Sequence, residues 1–304
     1  MRVSFHRDYR VDLPATHPYP MGKYPLLYAR LLAGGLVAAA GVMEPTEAPI
    51  EMLARVHTAG YLNRLAQGTL SAADVRRLGV PMTSRLWRRS RLAVHGTFLA
   101  ARAALDDGFA ANLAGGTHHA FPDHGEGFCV LNDVAVTFRQ LQAEGHVRRA
   151  LVVDLDVHQG NGTAAIFAGD TEFYTLSLHG ERNYPTLKAA SNLDVGLPDG
   201  TGDDAYMKAL EPALAKALAA SDPGLVFFLA GVDVVGGDRY GRLALTEDGL
   251  RRRERHVLES VAAAGRPLVV VLGGGYAESA LRTAELHAIV FEEAARMRQV
   301  EPSE

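Results

Sequence analysis

The sequence predicts an α/β fold, a single domain over residues 1–304 in which a central, mainly parallel β-sheet is flanked by helices. Three observations carry this. Four apolar runs, at residues 150–157, 173–178, 225–232 and 267–272, are rich in β-branched and aromatic residues and have the length of buried strands. Helix-like stretches separate them, and alternation of strand and helix is the signature of a parallel sheet. Each run also ends in polar or glycine-rich chemistry: Asp156-Val-His158, Ser177-Leu-His179, Gly231-Val-Asp233 and Gly273-Gly-Gly-Tyr276. Open parallel sheets bind ligands in the crevice beyond their strands' carboxyl ends, so four such endings predict one site.

In chain order, residues 1–5 suit a further strand, and residues 84–105 and 130–143 space their apolar residues as helices do. Residues 203–220 form another helix-like stretch. The next begins at Thr246, an N-cap residue type followed by Glu247 and Asp248 where a helix's first turn favours acids. No linker, repeat or low-complexity tract interrupts the chain.

With 304 residues, 48 % of them hydrophobic, the chain is long enough to bury a substantial core. A formal charge of −4 supplies no general field for a nucleic-acid backbone, so no direct nucleic-acid binding is expected. The arginines at 85, 88, 89 and 91, and at 251–253 and 255, lie in predicted helices and read as solvated faces. A lone cysteine, Cys129, excludes an internal disulfide and a cysteine-based zinc site; with no basic neighbour in sequence it reads as inert. No window approaches ~20 uninterrupted apolar residues and the start has no signal-peptide pattern, so the reading is a soluble, cytoplasmic protein without membrane association.

The richest segment is Ala150-Leu-Val-Val-Asp-Leu-Asp-Val-His158. Residues two apart on a strand point to the same face, so Asp154, Asp156 and His158 are expected to share one face. Asp156, His158 and Asp233 make a set of one imidazole and two carboxylates, suited with a water to the open four-coordinate site of a catalytic zinc ion; an Asp in the Gly-Val-Asp ending suits a helix N-cap as well. Two carboxylates neutralise a divalent ion and acidify its water less than three imidazoles would, so a separate base is needed. Gly115-Gly-Thr-His118-His119 offers two histidines in a glycine-flanked loop. Asp154 and Asn161 lie close enough in sequence to serve one histidine each, and since a carboxylate raises a histidine's pKa more than an amide does, the two should differ. Tyr276 brings a phenol beside the site, Phe128 an apolar wall, and residues 17–21 suit either the mouth of a channel or a surface loop.

Gly115-Gly-Thr-His-His119, Gly127-Phe-Cys129, Asp154-Leu-Asp-Val-His-Gln-Gly-Asn161, Ser177-Leu-His179, Gly231-Val-Asp233 and Gly273-Gly-Gly-Tyr276 together resemble, in order and over most of the chain, the metal-dependent histone deacetylase family. The likeness is strongest to its class IV members and their bacterial relatives. It implies the arginase/deacetylase fold and hydrolysis of an N-acyl-lysine amide by metal-activated water. It further implies zinc held by Asp156, His158 and Asp233, with ferrous iron compatible with the same ligands. His119 would be the general base, His118 its electrostatic neighbour, and Tyr276 the group that polarises the scissile carbonyl. Potassium would be bound by Asp154 and by backbone carbonyls including those of Ser177 and Leu178. Gly127 and Phe128 would line the channel that grips the acyl-lysine stem.

Two departures stand out: Asn161 where many members carry an Asp behind the base, and Val232 in a motif usually written Gly-Ala-Asp. The related arginases bind two manganese ions through extra carboxylates, whose positions here are Gly160 and Gly231, so a one-metal amidohydrolase is expected. The substrate would be an acylated lysine peptide or protein. An acetylated polyamine or a long-chain acyl-lysine is compatible with the same catalytic residues, and a catalytically weak, metal-bound acyl-lysine binding protein is the alternative outside enzymes. The sequence says nothing of oligomeric state.

Overall fold

The computed structural model describes residues 1–14 and 16–300. Eight strands form one all-parallel sheet: β1 (Arg2–Ser4), β2 (Val42–Met43), β3 (Phe109–Asn112), β4 (Ala150–Asp154), β5 (Phe173–Gly180), β6 (Leu193–Leu197), β7 (Leu225–Leu229) and β8 (Leu268–Val271), in the order β2-β1-β3-β8-β7-β4-β5-β6. Among the described residues ten α-helices surround it: α1 (Lys23–Ala33), α2 (Ile50–Leu53), α3 (Ala59–Gln67), α4 (Ala72–Leu78), α5 (Ser84–Asp107), α6 (Asp133–Ala143), α7 (Asn161–Ile166), α8 (Asp203–Ser221), α9 (Glu247–Ala263) and α10 (Ala280–Val300). No helix among the described residues is long and apolar enough to cross a membrane.

The central strands read as unbroken apolar runs because both faces of the sheet are covered. Val152, Phe227 and Val269 pack with Ala100 and Ala104 of α5 and Phe138 and Leu141 of α6. Their neighbours Val153, Phe228 and Val270 point the other way, into the cluster that holds Leu214 of α8, Val257 of α9 and Ile289 of α10. All five predicted strands, the one at residues 1–5 included, and all four predicted helices are present. Thr246 caps α9, its hydroxyl accepting from the Gly249 N–H at 3.0 Å.

Two expectations need correction. The 150–157 run is a strand only as far as Asp154; the chain then leaves the ladder, so Asp154, Asp156 and His158 do not share a strand face. Nor are all the arginines solvated. Arg89 is buried and donates to Tyr9 O at 2.9 Å and to the Tyr24 hydroxyl at 2.8 Å. Arg253 is wholly buried, with Nη1 donating to Leu155 O at 3.0 Å and Gly231 O at 2.8 Å, and Nη2 to Glu254 at 2.6 Å. Among carbonyls and a carboxylate both Nη nitrogens find partners without water, while Nε has none among the described residues, so helical position alone misjudged it.

Candidate active site

Four adjacent strands, β3, β8, β7 and β4, deliver the chemistry from their carboxyl ends: the His118-His119 loop, the Gly273–Tyr276 turn, Asp233, and the 154–161 segment. The last of these works because β4 stops early. Freed from the pleat, Asp156 and His158 turn toward Asp233 while Asp154 turns toward His118. Ligand atoms of Asp156, His158 and Asp233 all lie within 4.8 Å of one another. His158 Nδ1 is 2.9 Å from Asp156 Oδ1 and 3.2 Å from Asp233 Oδ2. The remaining oxygens of the two carboxylates are engaged: Asp156 Oδ2 accepts from the Gly274 N–H at 2.6 Å, and Asp233 Oδ1 from the Val157 N–H at 2.9 Å.

Asp233 Oδ2 is buried and has no hydrogen-bond partner among the described residues. Burial, reinforced by the charge of Asp156, pushes the Asp233 carboxyl up to about 7. A buried carboxylate with an orphaned oxygen facing a second carboxylate and an imidazole fits a divalent cation. The glycines around it leave little other space. A Cβ on Gly231 would come within 2.6 Å of Asp156 Oδ2, and one on Gly160 or Gly274 would collide with Asp154 or Asp233 respectively. Gly231 is thus closed off by Asp156 of this cluster, and Gly160 by Asp154 and His118.

The two histidines differ sharply. His118 Nδ1 lies 2.7 Å from Asp154 Oδ2; burial opposes its charge, but Asp154 and Asp156 outweigh burial and raise the ring to about 9. His119 Nδ1 lies 2.7 Å from Asn161 Oδ1. Burial, with the neighbouring His118 and His158 rings adding to it, holds His119 well below the usual histidine range. At neutral pH one ring is an imidazolium and its neighbour, 4.1 Å away between centroids, a neutral imidazole. Their loop is tied down by Asp133, a residue the sequence motifs do not single out. Its carboxylate accepts from the N–H groups of Gly116 at 3.1 Å and Thr117 at 2.8 Å, and from the Thr97 hydroxyl at 2.6 Å.

Above these groups opens a cleft of about 280 Å³ lined by Tyr19, Phe128, Tyr184, Tyr240 and Tyr276 as well as by His118, His119, Asp156 and His158. Gly127 packs on His119: a Cβ there would lie 2.5 Å from His119 Cδ2. Phe128 reaches the cleft with φ at 68°, a conformation costly for a bulky residue and held here by its N–H bond to Leu78 O at 2.8 Å. Residues 17–21 do reach the mouth, where His17 stands 5.7 Å from the Phe128 ring and Tyr19 joins the wall. Burial raises the Tyr276 phenol well above its usual range, so it stays protonated and able to donate. Burial likewise raises the Cys129 thiol, which remains a poor nucleophile. Tyr184 and Tyr240 were missed because single aromatics in long loops carry no periodic signal.

Residues 17–290 match the family model described as the histone deacetylase domain. The chain belongs to the histone deacetylase family. Its relatives include a histone deacetylase-like amidohydrolase of Pseudomonas aeruginosa, 32 % identical over 83 % of this chain and 70 % of the relative. Histone deacetylase 2 of Arabidopsis thaliana is 31 % identical over 90 % of this chain and 73 % of the relative. An uncharacterized protein of Picosynechococcus is 47 % identical over 91 % and 92 %. The solved structure of the HDA15 HD domain superposes with a TM-score of 0.81 at 24 % identity, covering 99 % of this chain and 92 % of that one, a likeness of fold. This family member therefore has the arginase/deacetylase fold and is a hydrolase of amide bonds, with a group of residues able to hold a metal.

Proposed function

We propose that this protein is a zinc-dependent N-acyl-lysine amidohydrolase in which residues 1–304 act as one catalytic domain, with ferrous iron able to replace zinc. The observation that carries the proposal is the unlike histidine pair set directly beside the Asp156, His158 and Asp233 cluster at the floor of an aromatic cleft. A divalent ion held by those three residues supplies Lewis-acid polarisation of the amide and an acidified water. His119, neutral and carrying its proton on Nδ1, takes a proton at Nε2 as water attacks the carbonyl. That proton then passes from Nε2 to the departing amine nitrogen. His118, charged through Asp154, keeps its proton and contributes a fixed positive field. Tyr276 donates its phenolic hydrogen to the carbonyl oxygen as negative charge develops there. Phe128 and Gly127 flank the acyl-lysine stem, and the tyrosines exclude water around it.

Asp154 is also proposed to hold potassium together with the carbonyls of Ser177 and Leu178; the β4–β5 register, which pairs Asp154 with Ser177, supports that assignment. The test is steady-state hydrolysis of matched acetyl-lysine, myristoyl-lysine and acetylpolyamine substrates by zinc-loaded protein, with Asp233→Ala as the control. Hydrolysis of an acyl-lysine that Asp233→Ala abolishes is the expected result. Stoichiometric metal with no turnover of any of the three would overturn the proposal in favour of a binding protein.

A further inference from the structure

Asn161 is an amide where many family members carry a carboxylate, and an amide is ambivalent: either its oxygen or its nitrogen can face a histidine. The difference decides whether the base works. With Oδ1 toward His119, Nδ1 carries the ring proton and Nε2 presents its lone pair to the cleft. With Nδ2 toward His119, Nδ1 must accept, and the proton is driven onto Nε2, where it blocks proton uptake. Something has to choose between these states, since an isolated amide would not.

The choice is made on the far side of Asn161. Its Nδ2 lies 2.5 Å from Glu126 Oε1. A carboxylate only accepts hydrogen bonds, so Nδ2 has to face Glu126 and Oδ1 has to face His119, as the 2.7 Å contact to Nδ1 requires. Building on the proposed role of His119, we propose that Glu126 is a positioning residue which, through Asn161, locks His119 in the tautomer with a bare Nε2.

The local chain holds Glu126 for this task. Its side chain is only 14 % exposed. It occupies a tight turn in which the Cys129 N–H donates to Glu126 O at 2.8 Å. The glycines on either side have no room for side chains: a Cβ on Gly125 would lie 2.5 Å from Cys129 O, and Gly127 has φ at 54° and meets the His119 ring. The turn that sends Phe128 into the cleft therefore also aims Glu126 at Asn161. Beside Glu126 stands His124, whose Nε2 is 3.8 Å from Oε2. That is not the oxygen that receives the Asn161 amide, which is Oε1.

Glu126→Gln keeps the size but can present either a donor or an acceptor, so it releases the lock. The test uses full-length, zinc-loaded protein labelled with ¹⁵N-histidine. Two-bond ¹H–¹⁵N spectra report the His119 tautomer without turnover, the ring being assigned by its loss in His119→Gln. The unsubstituted protein should show Nδ1 protonated and Nε2 bare. Glu126→Gln should show both tautomers, with kcat lower by about ten- to a hundred-fold, the usual range for groups that orient a functional histidine, and KM within about twofold.

A second variant gives the effect a sign that simple loss of packing cannot. Asn161→Asp sets two acceptors against each other and should lower kcat. Adding Glu126→Gln to Asn161→Asp supplies the missing donor and should raise kcat again. Glu126→Gln is thus harmful beside Asn161 and beneficial beside Asn161→Asp. A single Nδ1–H tautomer with kcat within twofold in Glu126→Gln, or effects that merely add in the double variant, would overturn the proposal. Should no amide substrate be turned over at all, the spectra still decide it.

Discussion

Arg253→Met removes a guanidinium that ties together the two loops bearing the carboxylates of the cluster. Arg253 Nη1 joins Leu155 O, one residue before Asp156, to Gly231 O, two residues before Asp233, and Nη2 neutralises the buried Glu254. Methionine retains most of the apolar stem, so cavity formation contributes little. Two buried carbonyls left without donors cost about 1–3 kcal/mol each. An unpaired buried carboxylate costs about 3–5 kcal/mol, and because these losses share one environment the expected total is about 4 kcal/mol rather than their sum. Urea unfolding of the metal-free protein at pH 7.5 measures it without metal linkage. Arg253→Met combined with Glu254→Met removes the stranded charge and should recover about 2 kcal/mol of the loss. Zinc affinity, read by competition with a chelator, should fall about ten- to a hundred-fold in the single variant because its ligand loops lose their brace. A loss of stability under about 1 kcal/mol, or no recovery in the double variant, would refute the reasoning.

Three further outcomes follow from the geometry. Tyr276→Phe should lower kcat about a hundredfold or more with little change in KM, since the proposed mechanism sets the phenol where charge develops; unchanged turnover in a steady-state assay would remove that role. Gly231→Ala should abolish stoichiometric metal binding, read by atomic absorption after dialysis, because its Cβ would stand 2.6 Å from Asp156 Oδ2; full occupancy would show that the loop can yield. His57 is buried with a pKa lowered to about 4 by burial, its Nδ1 bonded to Phe121 O at 3.0 Å and its Nε2 accepting from the Asn132 N–H at 3.0 Å. The unfolded chain protonates this ring near pH 6.5 and the folded one near 4, so its stabilisation is present above 6.5 and drains away as pH falls toward 4. Unfolding free energies from urea titrations at pH 7.5 and 5.0 should therefore differ by about 2 kcal/mol more in the parent than in His57→Gln; equal differences would rule this out.

The central sheet was legible because its strands are buried on both faces and so carry uninterrupted apolar runs. The strands that escaped notice lack that signal for distinct reasons. β3 reads Phe-Ala-Ala-Asn, too short and too poor in β-branched residues to stand out, yet it is buried between β1 and β8. β6 is an edge strand whose burial alternates until Leu197, and β2 has two residues. The order of the sheet depends on which strands pair across long stretches of sequence, as β4 pairs with β7 at a separation of 75 residues and β3 with β8 at 159. Local pattern has no access to that.

At the site, residue types survived translation into space better than geometry did. The motif residues converge, but the alternation used to group Asp154 with Asp156 and His158 fails because β4 ends at Asp154. That failure is what allows one carboxylate to serve His118 while the next two side chains turn to Asp233. A strand carried through to residue 158 would have pointed all three the same way and left His118 without its partner. Likewise, the sequence could pair each histidine with a neighbour type, but the orientation of the Asn161 amide depends on Glu126, which is 35 positions away and enters by way of a glycine-flanked turn. Sequence identifies the groups that can do this chemistry; which atom of each faces which partner is set by where strands stop and which acceptor lies behind an amide.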